Sequence, residues 1–405
     1  MTLTLLLDLD DTLLENKIES FLPQYLQAFS QFMEPYINPQ VFIEALMAGT
    51  SKMTRNQRPD CTLKEVFEDV FYHKVEVEPG TFEDLAEDFY SKIFPTLKHL
   101  THPVPGAREM VEKAIEQGYR ISIATNPLFP LAAVQQRLAW AGFPVDQFPF
   151  EQVASYDRYH FSKPDPAYFA EILGYMRWPE GGAVMVGDDL ERDIAGANSL
   201  GLSTFWIHED GNVNASQLIV PKKSGSIKDF HPWLDITSPE SLRIDFSSRT
   251  SLLAVLRSTP AVLDGILRNL DAELWNLQPA EGSWSLTEVL CHLRDVDNEV
   301  NLPRVRKVLE EINPFLPSED TDSWAQSRKY LSQDGQQALR QFTITRVKLV
   351  DLLSTLSTET WNSKVRHAIF GPTDLHELVV ILAGHDRLHI SQVHEILDTV
   401  ALKKS

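Results

Sequence analysis

The start of the sequence crowds carboxylates behind an apolar run. In the stretch MTLTLLLDLDDTLL, Asp8 and Asp10 follow leucines that favour a buried strand. A second acidic group, Asp188, Asp189 and Asp193, follows another apolar run. If both runs belong to one sheet, these groups meet, and two like charges about 4 Å apart repel by roughly 4 kcal/mol at an effective dielectric of about 20. Mg²⁺, which binds carboxylate oxygens, water and phosphate, would offset that repulsion.

The same acids also have a simpler interpretation. Asp is common in turns and at helix N-termini, so the first group could form a turn and cap a helix without doing any chemistry. Polar residues elsewhere favour a functional site instead. Thr125 and Asn126 follow the apolar run YRISIA, and Lys163 lies in the connection FSKPDP. Candidate polar groups therefore follow several predicted strands in succession.

The elements that must position these groups alternate between strand and helix. Short apolar runs predict strands at 3–8, 119–124, 183–187 and 203–207, and helical patterns such as 107–117 lie between them. This alternation predicts an α/β fold with a doubly wound parallel sheet. In such folds ligands bind at the carboxyl ends of the strands, which is where the candidate groups lie.

Amphipathic helical segments interrupt this alternation over about residues 15–100. We interpret them as a helical cap inserted after the first strand, and substrate choice is expected to depend on it. Its most cationic stretch contains Lys52 and Arg55, and either could clamp a phosphorylated or carboxylated substrate. Solvated loop charges are the alternative explanation for the same residues.

The N-terminal motifs resemble those of the haloacid dehalogenase superfamily. DLDDT, ATN, SKPDP and VGDDLERD occur in the order of its four motifs, and the resemblance covers roughly residues 1–237. The inserted helices resemble the cap that this superfamily places after its first strand. Phosphatases of the superfamily have an acid two positions after the nucleophile, and this chain has Asp10 there. The resemblance implies a Mg²⁺-dependent phosphatase that hydrolyses a small phosphate monoester.

The resemblance also implies a role for each matching residue. Asp8 would be the nucleophile that takes up the phosphoryl group, and Asp10 would protonate the leaving alcohol and then deprotonate the attacking water. Asp8, Asp188 and the main-chain carbonyl of Asp10 would bind Mg²⁺. The other residues carried over are the substrate-binding Thr125, Asn126 and Lys163 and the outer metal-site acids Asp189 and Asp193.

The pattern changes in the second half of the chain. Residues 208–250 have weak periodicity and several loop-forming residues, so we place a domain boundary near 240. The α/β domain is then 1–240, with the cap inserted in it. From 250 onward the pattern is helical, with no strand signal, and it predicts a small all-α helical bundle as the second domain, 241–405.

Histidines are the candidate ligands of this bundle. His385 and His389 are i and i+4 on one predicted helix, a spacing that lets two imidazoles share a metal. His292 falls at the edge of an apolar stripe on another helix. The three could form one metal site, or one could be a core histidine and two partly exposed. His394 is turned about 180° from His385 and is not expected to join them.

The second half resembles the DinB/YfiT superfamily of metal-binding four-helix bundles. The segments WSLTEVLCHLRDVDNEV and HDRLHISQV carry the resemblance, which covers about residues 250–400. It implies metal ligation by His292, His385 and His389, and Zn²⁺, Ni²⁺, Mn²⁺ or Fe²⁺ would accept three imidazoles with open positions. Some relatives are thiol S-transferases, so a metal-dependent thiol or group transferase with an ancillary phosphatase domain is an alternative function. Related bundles often form homodimers, which is a further possibility here.

Composition narrows the partners. The 37 basic and 57 acidic residues give a net charge of −20, which disfavours nucleic acid and anionic lipid as partners.

The two cysteines, Cys61 and Cys291, suit a reducing compartment. With no signal-peptide pattern and no apolar run near the length of a membrane span, we expect a cytoplasmic location. The expected partner is a small phosphorylated metabolite. A non-catalytic ligand sensor is a third class, but it would have no need of the Asp8 and Asp10 pair.

Overall fold

A computed structural model of this chain describes residues 2–208 and 219–404 and divides into two compact units. The first unit comprises Met1–Ile172 and Pro179–Asp245, and the second comprises Leu173–Trp178 and Phe246–Ser405. The helices of the cap lie in the first unit, and the helices of the bundle lie in the second.

A parallel six-stranded sheet forms the centre of the first unit. The strands of this unit are β1 (Thr4–Leu7), β2 (Leu14–Glu15), β3 (His102–Pro103), β4 (Arg120–Ile123), β5 (Phe150–Val153), β6 (Ala183–Gly187), β7 (Ser203–Ile207) and β8 (Lys223–Gly225). The sheet order is β5-β4-β1-β6-β7-β8, while β2 and β3 form a separate antiparallel pair. Because β1 lies between β4 and β6, the loops after these three strands meet at one edge.

The predicted strands are the buried ones. Strands β1, β4, β6 and β7 lie where apolar runs predict them, and β1 and β6 are buried at every position, as expected when both faces of a sheet are covered. The sequence does not predict β5 or β8. Both lie at the sheet edges, where half of each strand stays in contact with solvent, so their sequences, FEQV and KSG, lack an apolar run.

Helices surround this sheet and build the cap. They are α1 (Ile18–Met33), α2 (Pro39–Met53), α3 (Leu63–Phe71), α4 (Pro79–Asp88), α5 (Ala107–Glu116), α6 (Leu131–Trp140), α7 (Pro166–Tyr175), α8 (Gly196–Leu200) and α9 (Phe230–Ile236). The cap is α1 to α4 with the helical turns Phe89–Ile93 and Phe94–Leu100. Aromatic rings fill its interior, for example Phe29 stacked on Phe89 at a centroid distance of 4.0 Å.

Four long helices form the second unit. Its helices are α10 (Arg249–Leu267), α11 (Leu286–Val296), α12 (Leu302–Glu310), α13 (Trp324–Ser327), α14 (Gly335–Ser354), α15 (Thr358–Trp361) and α16 (Leu375–Lys404). Ser285 and Glu288 form a capping box at the start of α11, in which each side chain binds the main-chain N–H of the other residue. The helical turn Asp297–Asn301 joins α11 to α12.

A small sheet is attached to this bundle, where the sequence predicts no strand. It consists of β9 (Phe315–Leu316), β10 (Lys364–His367) and β11 (Gly371–Asp374), in the order β11-β10-β9. Strand β10 alternates exposed and buried residues. It has only four residues, pairs with β11 nearby in the sequence, and has its other partner, β9, about fifty positions away, and so short a run is not distinctive in the sequence.

One helix of the bundle has the length and composition of a membrane span. This helix is α10, and 67% of its most apolar window is buried inside the structure. The core helix of a soluble protein has the same character, so the finding is weak evidence for a membrane segment.

Candidate active site and metal centre

The first candidate site begins at the turn after β1. Asp8 is buried, with 6% of its surface exposed. Asp11 adopts a φ of 51°, a left-handed conformation that Asp tolerates better than most residues. Its carboxylate accepts a hydrogen bond from the main-chain N–H of Asn16 at 2.8 Å, which closes the turn. Beyond Asp8, Asp10 lines a cavity of the first unit together with Lys163.

Lys163 connects two of the predicted acids. Its ammonium donates to Asp8 Oδ1 at 2.6 Å and to Asp193 Oδ1 at 2.5 Å. The main-chain N–H of Lys163 donates to Asn126 Oδ1 at 3.2 Å, which ties its loop to the loop after β4. Burial lowers the pKa of Lys163, but Asp193 and Asp8 outweigh burial and raise it above the ordinary value. The side chain is therefore charged.

Three carboxylates converge beside this lysine, and we call Asp8, Asp188, Asp193 and Lys163, together with Asp10 and Thr125 of the loops after β1 and β4, the strand-end site. Each of the three acids has an oxygen within 4.8 Å of the others. Burial, and next the negative charges of Asp8 and Asp193, raise the pKa of Asp188 to about 8. Burial also raises the pKa of Asp193 to about 7, although Lys163 opposes this. The acids thus carry more negative charge than Lys163 offsets, and a divalent cation with oxygen ligands fits among them.

The structure distinguishes Asp189 from Asp193, which the sequence does not. Asp189 caps the helical turn Leu190–Ala195, and its Oδ1 accepts from the N–H groups of Glu191 and Arg192. Asp193 points back at the cluster, and a Cβ at Gly187 would lie 2.1 Å from its Oδ2. Only glycine at position 187 leaves room for that carboxylate.

Thr125 lies in the loop after β4 with its hydroxyl unused. Thr125 Oγ1 is buried and has no hydrogen-bond partner among the residues that the structure describes. The main-chain oxygen of Thr125 accepts a hydrogen bond from the Tyr168 hydroxyl at 2.5 Å, which fixes the loop. A buried polar atom without a partner is costly, so this hydroxyl is suited to bind a ligand oxygen.

Asp10 has neighbours different from those of Asp8. Its Oδ1 accepts from the Asn16 amide at 2.9 Å and contacts the guanidinium of Arg137. Arg137 is buried, and burial lowers its pKa to about 10, although Asp8 opposes this. The carboxylate of Asp10 is thus held by two donors and is itself partly open to the cavity.

The predicted cationic clamp of the cap does not line this cavity. Arg55 lies just past the end of α2 and donates to Ser51 of that helix, through Nη2 to Oγ at 2.6 Å and through Nε to the main-chain oxygen at 3.1 Å. Lys52 is exposed on the same helix. Neither side chain is among the residues that line the cavity, so both are placed as the solvated-charge interpretation expects.

The second candidate site consists of three histidines, and we call it the histidine site. His292 lies on α11, and His385 and His389 lie one turn apart on α16. His385 Nε2 lies 3.1 Å from His292 Nε2 and 3.0 Å from His389 Nε2. Imidazoles bound to one tetrahedral zinc at about 2.1 Å have nitrogens roughly 3.4 Å apart, so these atoms are close to the spacing of ligands.

The histidines are in the state that binds metal. Burial, and next the other histidines, lower the pKa of His292 and of His385 to about 3, and burial also lowers that of His389. The imidazoles are therefore neutral near pH 7. His389 Nδ1 lies 2.8 Å from Gln392 Oε1, and as a donor there it leaves the Nε2 lone pair for the site. The donor set fits a divalent transition metal.

A buried ion network lies beside the histidine site. Arg346 of α14 binds Asp297 at 2.7 and 3.0 Å and also binds Asp386, which follows His385 in α16. Thr259 of α10 donates to Asp386 at 2.8 Å. The network thus joins α10, α14 and α16 around the segment that carries His385.

Both halves of the chain match known families. Residues 2–201 match the family of haloacid dehalogenase-like hydrolases, and residues 256–393 match the DinB superfamily. The first part is a haloacid dehalogenase-like hydrolase domain. The second is a DinB-type domain. The resemblances on which the sequence analysis depends are thereby confirmed, together with the fold that they imply.

Two relatives of the hydrolase domain are named as phosphatases. The chain is similar to a glyceraldehyde 3-phosphate phosphatase of Pyrococcus abyssi, 37% identical over 105 residues, or 25% of this chain and 41% of that protein. It is also similar to a ribulose-1,5-bisphosphate 5-phosphatase of Halopiger xanaduensis, 36% identical over 146 residues, or 36% of this chain and 57% of that protein. These matches span about half the length of the two phosphatases.

A solved structure also resembles part of the chain. This structure is YfiT from Bacillus subtilis, a four-helix bundle of unusual topology. It is 19% identical with a TM-score of 0.36, and the match covers 39% of this chain and 90% of the YfiT chain. At this identity the likeness concerns the fold alone.

The hydrolase domain contains site residues that the sequence does not single out. Arg137 contacts Asp10, and the Trp206 indole donates to the main-chain oxygen of Asp188 at 2.7 Å, which holds the loop after β6. Arg137 has one available signal. It is a lone cation in a helix where the residues one turn before it, Ala133 and Val134, are buried. Trp206 lies within a strand-like run and looks like an ordinary core residue.

Proposed function

We propose that this protein is a Mg²⁺-dependent phosphatase that hydrolyses a small phosphate monoester through a phosphorylated Asp8. The observation that carries the proposal is the contact of one buried lysine with both Asp8 and Asp193 at the ends of adjacent strands. The match to haloacid dehalogenase-like hydrolases and the phosphatases among the relatives support it.

The residues of the strand-end site divide the work of phosphoryl transfer. Lys163 fixes Oδ1 of Asp8 by a hydrogen bond, so that the other oxygen attacks phosphorus. Thr125 Oγ1 donates to a phosphoryl oxygen, because it has no other described partner. Asp10, oriented by Asn16 and Arg137, protonates the leaving alcohol and then takes a proton from the water that hydrolyses the phosphorylated Asp8.

Asp8, Asp188 and the main-chain carbonyl of Asp10 would hold Mg²⁺. When bound, the ion supplies charge neutralisation for the phosphoryl oxygens. Asp193 lies in the same cluster and orients Lys163, while Asp189 serves as a helix cap.

Phosphate release from a panel of monoesters tests the proposal. With Mg²⁺ present, the full chain should release phosphate from at least one of p-nitrophenyl phosphate, glycolate phosphate, sugar phosphates and nucleoside monophosphates. Asp8→Asn should reduce this rate to background, whereas Asp189→Asn should retain it because Asn also caps helices well. Equal rates for the Asp8→Asn variant and the unaltered chain would contradict the proposal.

A second proposal concerns the DinB-type domain, in which the histidine site would hold a divalent transition metal. The three Nε2 atoms converge, and His389 also lines a cavity of about 600 Å³ with Trp284 and Gln392. A metal with open positions beside a cavity suits a hydrolase or group transferase. Elemental analysis should find about one metal per chain, lost in His389→Ala and kept in His376→Ala, a histidine of the same helix outside the cluster.

Three expectations of the sequence extend these proposals. We propose a small phosphorylated metabolite as the substrate, and a cytoplasmic location suited to the two cysteines, which the structure does not join in a disulfide. The resemblance to DinB-type bundles also leads to the hypothesis that the protein forms a homodimer.

A further inference from the structure

The cap of the hydrolase domain encloses a chamber above Asp10. This cavity of the first unit has a volume of about 520 Å³, which is the size of a small-molecule site. Its floor includes Asp10, Asn126 and Lys163 of the proposed active site. Most of the other lining residues come from the cap, chiefly from α1 and α2. A substrate whose phosphate lies at the floor must therefore place its alcohol part against the cap.

The cap walls of the chamber are mostly apolar, with Asn16, Thr50 and Thr54 as polar residues besides two tyrosines. Among the cap residues that line it are Phe21, Leu22 and Leu26 of α1, Met47 and Met53 of α2, and Phe82 of α4. The hydroxyls of Tyr25 and Tyr90, which also line it, are 2.9 Å apart and bind each other. Their polar atoms are thus already paired in the absence of a substrate.

Charge is confined to the floor. The charged residues that line the chamber are Asp10, Arg137, Lys163 and Arg192, and all four belong to the core rather than to the cap. Arg137 is buried, and its guanidinium carbon lies 5.3 Å from the centroid of the Phe129 ring. No lining residue from the cap carries a charge, among those that the structure describes. The cations therefore lie at one end of the chamber, where they suit the binding of a single phosphate group.

From this distribution we infer that the substrate is a phosphate monoester of an apolar alcohol, with an aliphatic or aromatic body. The inference rests on the proposed phosphatase function. A sugar or a nucleoside would lose hydrogen bonds to water on entry and would find few partners on the cap walls. An apolar alcohol part gains binding free energy instead, because each buried methylene contributes about 0.8 kcal/mol. This corresponds to roughly a fourfold rise in kcat/KM.

A homologous series of n-alkyl phosphates tests the chamber. With Mg²⁺ and the full chain, kcat/KM should rise about fourfold per methylene from ethyl to hexyl phosphate and should exceed that for glucose 6-phosphate and glycerol 3-phosphate. A flat series, or a higher kcat/KM for the sugar phosphates, would overturn the inference while leaving the phosphatase function intact.

Two matched variants place the effect in the chamber. Met47 and Val41 are both exposed apolar residues of α2, but only Met47 lines the chamber. Met47→Gln should lower kcat/KM for hexyl phosphate several-fold and leave that for ethyl phosphate unchanged, whereas Val41→Gln should change neither. Equal effects of the two substitutions would contradict the placement.

If no ester is hydrolysed, binding of n-alkyl phosphonates tests the chamber inference separately from the phosphatase function. These analogues cannot be cleaved, so calorimetry with Mg²⁺ measures their affinity without any turnover. Affinity that rises with chain length and falls in Met47→Gln would keep the chamber as a site for apolar monoanions or dianions although the phosphatase function had failed. Affinity independent of chain length would overturn the chamber inference itself.

Discussion

The strand-end site gathers charged groups, whereas the histidine site gathers neutral ones. In the first, three carboxylates meet one lysine, and the pKa values of Asp188 and Asp193 rise, first because of burial and then because of neighbouring negative charge. In the second, burial lowers the pKa values of all three imidazoles, and the proximity of His389 adds to this for His292 and His385. A hard cation with oxygen ligands fits the first site, and a transition metal fits the second.

The two sites also differ in how the chain positions them. The strand-end site depends on loops that follow β1, β4 and β6, so its residues come together only when the sheet forms. The histidine site depends on two helix faces, and the i, i+4 spacing alone brings His385 near His389. Long-range topology therefore controls the first site, while local helix geometry and core packing control the second.

The largest effect on the strand-end site alone is expected from Asp10→Asn. This variant lacks the carboxyl group that donates and accepts a proton, although its amide oxygen can still accept a hydrogen bond from Asn16. We therefore expect kcat to fall about 10²–10⁴-fold with little change in KM. The loss in kcat/KM should be smaller for p-nitrophenyl phosphate, since its leaving group needs no proton and kcat/KM does not include hydrolysis of the phosphorylated Asp8. Metal bound at the histidine site should not change, and steady-state kinetics with elemental analysis measures both.

The second-largest effect is expected from the loss of Arg346, whose buried ion pairs lie beside the histidine site. Arg346→Met leaves Asp297 and Asp386 buried without their cation, and this should destabilise the second unit by about 3–5 kcal/mol. Lys364→Met removes a partly exposed pair with Asp374 and should cost about 1 kcal/mol or less. Denaturant unfolding measures both, and equal costs would show that the buried network does not stabilise this unit.

A smaller loss is expected from Gly187→Ala in the hydrolase domain. The added Cβ would meet Asp193 Oδ2 and displace the carboxylate that orients Lys163, and a displacement of this kind should lower kcat by about 10²-fold. Gly80→Ala is the control, because a Cβ there has no heavy atom within 4 Å. If the two variants are equally active, the orientation of Asp193 is not needed for turnover.

The smallest effect is expected from Gln392→Leu in the histidine site. It removes the acceptor that holds His389 in its metal-binding tautomer, so metal affinity should fall about 10–100-fold while phosphatase activity stays constant. Competition with a chromogenic chelator measures the affinity. Unchanged affinity would mean that helix geometry alone orients His389.

Much of this arrangement can be predicted from the sequence. Buried strands such as β1 and β6 are visible as apolar runs, and His385 and His389 are visible through helical spacing. The preference for Asp193 over Asp189 is not visible, because it depends on the space that Gly187 leaves. Arg137 is missed for a related reason. Its contact with Asp10 joins residues that are 127 positions apart, and local periodicity does not report such a contact.

The most direct measurement is mass spectrometry of the quenched protein. The Asp10→Asn variant, mixed with p-nitrophenyl phosphate and Mg²⁺, should form the Asp8 phosphoryl adduct readily, because p-nitrophenol needs no proton to leave, but should hydrolyse it slowly. We therefore expect the mass of one phosphoryl group on the peptide that contains Asp8. Release of p-nitrophenol with no adduct on Asp8 at any time point would contradict the assignment of Asp8 as the nucleophile.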